Sequence, residues 1–70
     1  MARRSVEPGQ RYRARKAWNY VWEVDSIMVD REGHEHAKLH AVNDVKEYRT
    51  IACTVLLDRE RYEFVGYREG

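Results

Sequence analysis

One cysteine, one proline and four glycines in 70 residues exclude several kinds of protein at once. A lone cysteine, Cys53, makes no internal disulfide, and without a Cys-x-x-Cys pair there is no zinc ribbon, so neither common staple of a small domain is available. The glycines are scattered at positions 9, 33, 66 and 70 and form no phosphate-cradling loop. No apolar run approaches the roughly 18 residues that a membrane span requires, and Met1 to Ser5 lead into no apolar signal segment. A soluble, cytoplasmic protein without membrane contact is expected. Net charge is equally sparse: 13 basic against 12 acidic side chains leave +1, so no global field draws in one class of ligand.

What the chain does have is alternation. Two runs of alternating apolar residues, Tyr20 to Val29 and His34 to Val42, flank Asp30-Arg31-Glu32-Gly33. Asp30 suits the first position of a type I turn and Gly33 can take positive φ, so a β-hairpin is predicted. Within the first run, Tyr20, Trp22 and Val24 share one parity while Ile27 and Val29 share the other, which requires a bulge or bend at Asp25-Ser26. Gln10 to Lys16 also alternates, with Tyr12 and Ala14 facing in and Arg11, Arg13 and Arg15 facing out. Lys16 to Asn19 breaks the pattern and forms a loop carrying Trp18. After a turn at Asn43 to Lys46, Glu47 to Ile51 makes a fourth strand. Val55, Leu56 and Leu57 cluster as in a short helical turn, and Tyr62 to Tyr67 makes a fifth strand.

Seventy residues form one domain that buries only about 60% of the surface its unfolded chain exposes, so a single core must suffice. Residues 1–7 lack periodicity and are expected as a flexible arm, with Pro8-Gly9 turning into one domain over residues 8–70. Five short strands with a helical turn before the last predict an all-β fold, a small closed or nearly closed antiparallel barrel. The predicted core is Tyr12, Trp22, Val24, Ile27, Ala37, Leu39, Ala41, Ile51, Leu56, Tyr62 and Phe64.

That element order resembles the SH3-like barrel over residues 8–67. The Ala-Leu-Tyr-Asp-Tyr run, the paired tryptophan and the late proline of peptide-binding SH3 domains have no counterpart here, so the resemblance implies no proline-rich ligand. Pro8-Gly9-Gln10, Trp22-Glu23-Val24, the stretch Gly33 to Leu39 and the Thr-Ile-x-x-x-x-Leu-Leu-Asp of Thr50 to Asp58 are together similar to short bacterial proteins of unassigned activity with such a barrel. This likeness implies a fold and no function.

Three constellations are candidates for function. The outward face of the third strand presents His34, His36 and His40 around Lys38, with alternate residues about 7 Å apart. A zinc centre needs three or four ligands and supporting carboxylates, whereas a lysine stands among these histidines and the near acids are Glu32 and Glu35. A solvated polar face, with no metal or cofactor, is therefore expected. The first 20 residues carry Arg3, Arg4, Arg11, Arg13, Arg15 and Lys16 against Glu7 alone. Beside Trp18 and Tyr20, these cations have the ingredients of a nucleic-acid surface. In the barrel order, however, the first strand lies between the second and fifth, which offers Glu23, Asp25 and Glu63 as cross-strand partners that quench the field. Finally, eight aromatic residues exceed what so small a core can enclose. Trp18, Tyr20 and Tyr67 are left to form a contact patch, since exposed Trp and Tyr recur as binding anchors.

Catalysis has thin support. Cys53, beside Ala52 and Val55, suits a small core filler, and no deep pocket for acid-base chemistry is foreseeable. The expectation is a non-catalytic binding or adaptor module for a protein partner, monomeric or weakly dimeric, using Arg11, Arg13, Arg15, Lys16, Trp18 and Tyr20. The alternative is a nucleic-acid-binding barrel using the same arginines.

Overall fold

The computed structural model describes residues 5–17 and 19–68. It is all-β, with strands β1 (Gln10–Ala14), β2 (Val21–Val29), β3 (Glu35–Ala41), β4 (Asp44–Ala52) and β5 (Tyr62–Tyr67) and one helical turn, α1 (Cys53–Leu56), before the last strand. The strands form a single antiparallel sheet in the order β4-β3-β2-β1-β5. The sheet is open: among the described residues no ladder joins β4 to β5, so the closure expected of a barrel is absent. Both outer strands nevertheless contribute to one core, through Ile51 on one side and Tyr62 and Phe64 on the other.

Local chemistry sets the bends. Pro8 and Gly9 occupy the middle of a turn closed by the Gln10 N–H donating to the Glu7 carbonyl at 3.2 Å, with Gly9 at φ +92°, a conformation that favours glycine. The β2–β3 hairpin turns through Asp30 to Gly33, where Gly33 has φ +84° and donates to the Asp30 carbonyl at 3.1 Å. Asp30 Oδ1 also accepts from the backbone N–H groups of Glu32 and His34, both at 2.9 Å, as an Asx turn does. In β2 the pairing steps from Val24↔Leu39 to Ser26↔Lys38, leaving Asp25 as the extra residue of a bulge. Trp22, Val24 and Ile27 thereby all lie opposite the small or aliphatic residues Ala41, Leu39 and Ala37.

The buried core is Tyr12, Trp22, Val24, Ala37, Leu39, Ala41, Cys53 and Leu56, with Val6, Ala14, Ile27, Ile51, Tyr62 and Phe64 packed against it. Cys53 is the small core filler that its neighbours suggested. Three features depart from the sequence reading. The β3–β4 turn tightens to Val42-Asn43, and β4 starts at Asp44 through an irregular register, because Asp44 pairs with Ala41 instead of extending the loop. β1 ends at Ala14, two residues short of Lys16. Ser5 to Glu7, the described part of the expected arm, are tied down: Gln10, only 1% exposed, accepts from the Glu7 N–H and from the Tyr12 hydroxyl, and donates to the Ser5 carbonyl. A buried amide is tolerated when its polar atoms are satisfied, and here that satisfaction recruits the segment before Pro8.

Trp22, 2% exposed, is the largest side chain in this core. Replacing Trp22 by Ala is expected to cost about 3–5 kcal/mol, comparable to the whole stability of a small domain. Loss of the near-ultraviolet circular dichroism of the native state at 25 °C checks this, and a native-like spectrum in the variant overturns the assignment.

Candidate functional site

The β1 arginines separate into two environments. Arg11 lies directly opposite Glu23 on β2, and its Nε donates to Glu23 Oε1 at 3.0 Å. Glu23 is a buried carboxylate, 5% exposed, and acts as a hub: His40 Nε2 stands 4.0 Å and Arg68 3.9 Å from Oε2. Arg13 lies opposite Val21 on one side and Glu63 on the other and is half-buried. Of the expected cross-strand partners, Glu23 and Glu63 lie opposite β1 while Asp25 turns to His40 instead, and Arg11 is part of the sheet wall.

Arg15 and Lys16 lie beyond the strand end and are exposed. The Arg15 backbone N–H donates to the Arg61 carbonyl at 2.9 Å, and its side-chain Nε donates to the Arg59 carbonyl. Arg15, Lys16, Arg59 and Arg61 thus share one end of the molecule, where the one described ion pair among them joins Arg61 to Asp58 at 3.5 Å. Tyr20 leaves the same loop, its carbonyl accepting from the Ala14 N–H. Its ring stacks on Trp22 at 5.7 Å and 15°, and it stays 36% exposed. The Arg49 guanidinium lies 4.8 Å from the same indole. Trp18 and the arginines at positions 3 and 4 lie outside the described residues. Tyr67, the remaining patch candidate, is exposed but on β5, where its ring meets Phe64 edge-on at 5.6 Å. The structure brings together Arg15, Lys16 and Tyr20, and sets Arg11 apart.

The histidine row divides as well. His34 and His36 turn to Asp30, whose Oδ2 lies 3.7 Å and 2.9 Å from their ring nitrogens, while His40 Nδ1 meets Asp25 Oδ1 at 2.6 Å. The acids that matter are thus Asp30, Asp25 and Glu23, where the sequence pointed to Glu32 and Glu35. Register explains the difference: Glu23 pairs with His40, and the bulge leaves Asp25 beside it. Glu23, Asp25 and His40 offer three ligand atoms within 4.8 Å of one another. Arg11 and Arg68 approach the same Glu23 carboxylate, so cationic side chains of the protein itself already stand at this cluster.

Hydrogen bonding by His36 and by the His34 and Glu32 N–H groups holds the Asp30 carboxyl down to about 2, from an ordinary value of 3.8. Burial, followed by the charge of Glu35, pushes the Cys53 thiol up, which suppresses the thiolate that a nucleophile requires. No helix among the described residues is long and apolar enough to cross a membrane. No protein-family model, curated protein or solved structure matches the chain.

Two outcomes follow from this geometry. Because Arg11 is the principal partner of a buried carboxylate, Arg11→Ala is expected to destabilise by about 1–3 kcal/mol, while Lys16→Ala stays within about 0.5 kcal/mol. Urea denaturation of the two variants checks the contrast. A depressed carboxyl stabilises the fold at pH above its unfolded value, and the contribution disappears as pH falls through the folded value. The stability advantage of the native chain over Asp30→Asn is therefore expected to shrink between pH 4 and about 2, and a carboxyl resonance of Asp30 titrating near 4 contradicts this.

Proposed function

We propose that this chain is a small non-catalytic binding module for a protein partner, carried on an SH3-like scaffold. The strand order β4-β3-β2-β1-β5 with a helical turn before β5 is the order of that scaffold and supports that part of the reading. The observation that carries the binding role is the Tyr20 ring, held flat against the buried indole of Trp22 and still a third exposed. An aromatic fixed in place loses little side-chain entropy on binding, which is why such residues serve as anchors. Arg15, Lys16, Arg59 and Arg61 around the same end favour a partner segment that carries carboxylates beside an apolar anchor. A buried cysteine with its thiol pushed up supports the non-catalytic assignment.

The same four cations favour the second reading, a nucleic-acid surface, and salt separates the two. Phosphate contacts weaken steeply as counterions are added, whereas an aromatic anchor on a protein loses little. In an amide-resolved NMR titration with short DNA and RNA oligonucleotides, the protein-binding reading expects shifts at Arg15 to Tyr20 that vanish at physiological salt, or none. Shifts that persist at that salt overturn it in favour of nucleic acid. Capture of partners by the native chain and not by Tyr20→Ala is the expected companion result.

A further inference from the structure

The open sheet leaves β4 and β5 each with one backbone edge facing no strand among the described residues. The two edges are not equivalent. β5 has six residues, an extra residue at Val65 where the register steps, and Gly66 at φ +125°; bulges and short length are devices that discourage further pairing. β4 has nine residues; it pairs regularly with β3 from Tyr48 to Ala52 and steps register between Tyr48 and Asp44, so its advantage over β5 as an edge is length.

We infer that β4 recognises a second copy of itself: two chains pair antiparallel through their β4 edges about a two-fold axis at Tyr48, continuing one sheet across both. The inference is independent of the Tyr20 surface and rests on charge. Residues opposite one another in an antiparallel sheet share a face, so a symmetric pairing must set one residue against its own copy. With the axis at Lys46, Glu47 or Arg49 that residue meets its own charge, which is unfavourable. With the axis at Thr50 only Tyr48 to Ala52 overlap and Arg49 faces Ile51 without a charge partner, and with the axis at Val45 only Asp44 to Lys46 overlap. With the axis at Tyr48, Glu47 of each copy lies opposite Arg49 of the other, Lys46 lies opposite Thr50 and Asp44 opposite Ala52. Both charge contacts are complementary and no like charges meet. Tyr48, 62% exposed and held beside Lys38 Nζ at 5.8 Å, meets its own copy at the axis, an aromatic cross-strand pair of the kind that stabilises sheets. Charges along an edge repel most other strands, so this arrangement also makes the pairing selective.

The test is sedimentation equilibrium of the full chain up to millimolar concentration, with each variant first shown by circular dichroism to be folded. The native chain is expected to double in mass as concentration rises. Glu47→Arg and Arg49→Glu are each expected to weaken self-association by about tenfold or more, while an equimolar mixture of the two associates, because each then presents the charge that the other lacks. A native chain that stays monomeric, or single variants that dimerise like it, overturns the inference. Arg49 also contacts Trp22, so cysteine cross-linking in a Cys53→Ser background gives a readout that does not depend on the Arg49 variant. Cysteines replacing Tyr48 would stand about 4.5–5.5 Å apart between Cα atoms and join, whereas cysteines replacing Thr50 would stand about 14 Å apart and stay free. Equal cross-linking at the two positions, or none at Tyr48, overturns the register.

Discussion

The bulge at Asp25 is the constraint on which the rest of this fold depends. A regular strand presents alternate residues to one face, and β2 without an extra residue would send either Trp22 and Val24 or Ile27 to solvent. One inserted residue restores all three to the same side, opposite Ala41, Leu39 and Ala37. Three small or slender residues on β3 leave room for an indole on β2, so the bulge and the alanines are two halves of one packing solution. Bulges also increase local twist, which helps β4 and β5, at opposite ends of the sheet, contribute to a common core.

On the outer face the same bulge organises charge. The Asp25 carboxylate stands beside His40, the cross-strand neighbour of Glu23, and Glu23 in turn receives Arg11 from β1. One network of side chains therefore ties β1, β2 and β3 across the face away from the core. Glu23 is buried although it points out, because its neighbours cover it. A buried carboxylate is costly without partners, and Arg11 at 3.0 Å supplies the main one. Such a network specifies register, since a slip of one residue would send each member to the opposite face. The arginine row of β1, which in isolation has the look of a phosphate-binding surface, is thus partly consumed in holding the sheet, and the exposed cations lie at the loop end, at Arg15 and Lys16.

Much of this was legible in the chain. Period-two alternation located the five strands, the parity change at Asp25-Ser26 located the bulge, and Asp30 with Gly33 located the hairpin turn. Each of these is a local signal with a local cause. Gln10 was not legible, because a glutamine becomes a core residue only when Ser5, Glu7 and Tyr12 are all in position to satisfy its amide. The fate of the histidines was hidden for a related reason. Their partners, Asp30, Asp25 and Glu23, are set by β2–β3 register and by the bulge, whereas the eye reading sequence sees the adjacent Glu32 and Glu35. The stacking of Tyr20 on Trp22 was also hidden: like parity between a loop residue and the strand residue two positions on gives no hint that their rings lie parallel. Closure of the barrel was overestimated because strand count and order do not determine whether the first and last strands of a sheet meet.

An open sheet leaves two edges, and edges are where small β domains meet other chains. The asymmetry between them limits what can form. If both edges were regular, head-to-tail pairing of β4 on β5 could repeat without end and build fibres, since a heterologous contact that does not close propagates. With β5 shorter and broken by its bulge and by Gly66 at positive φ, the nine-residue β4 edge pairs over more residues with another β4 than with β5. Such a contact is isologous and consumes itself, so association stops at two. Its charge pattern works in the same direction, because Glu47 and Arg49 flanking Tyr48 complement their own antiparallel copy but no uncharged strand. Pairing through β4 would leave the Tyr20 end uncovered in each chain, so a dimer of this kind presents two copies of the aromatic and cationic surface and can gain from avidity toward a repeated partner.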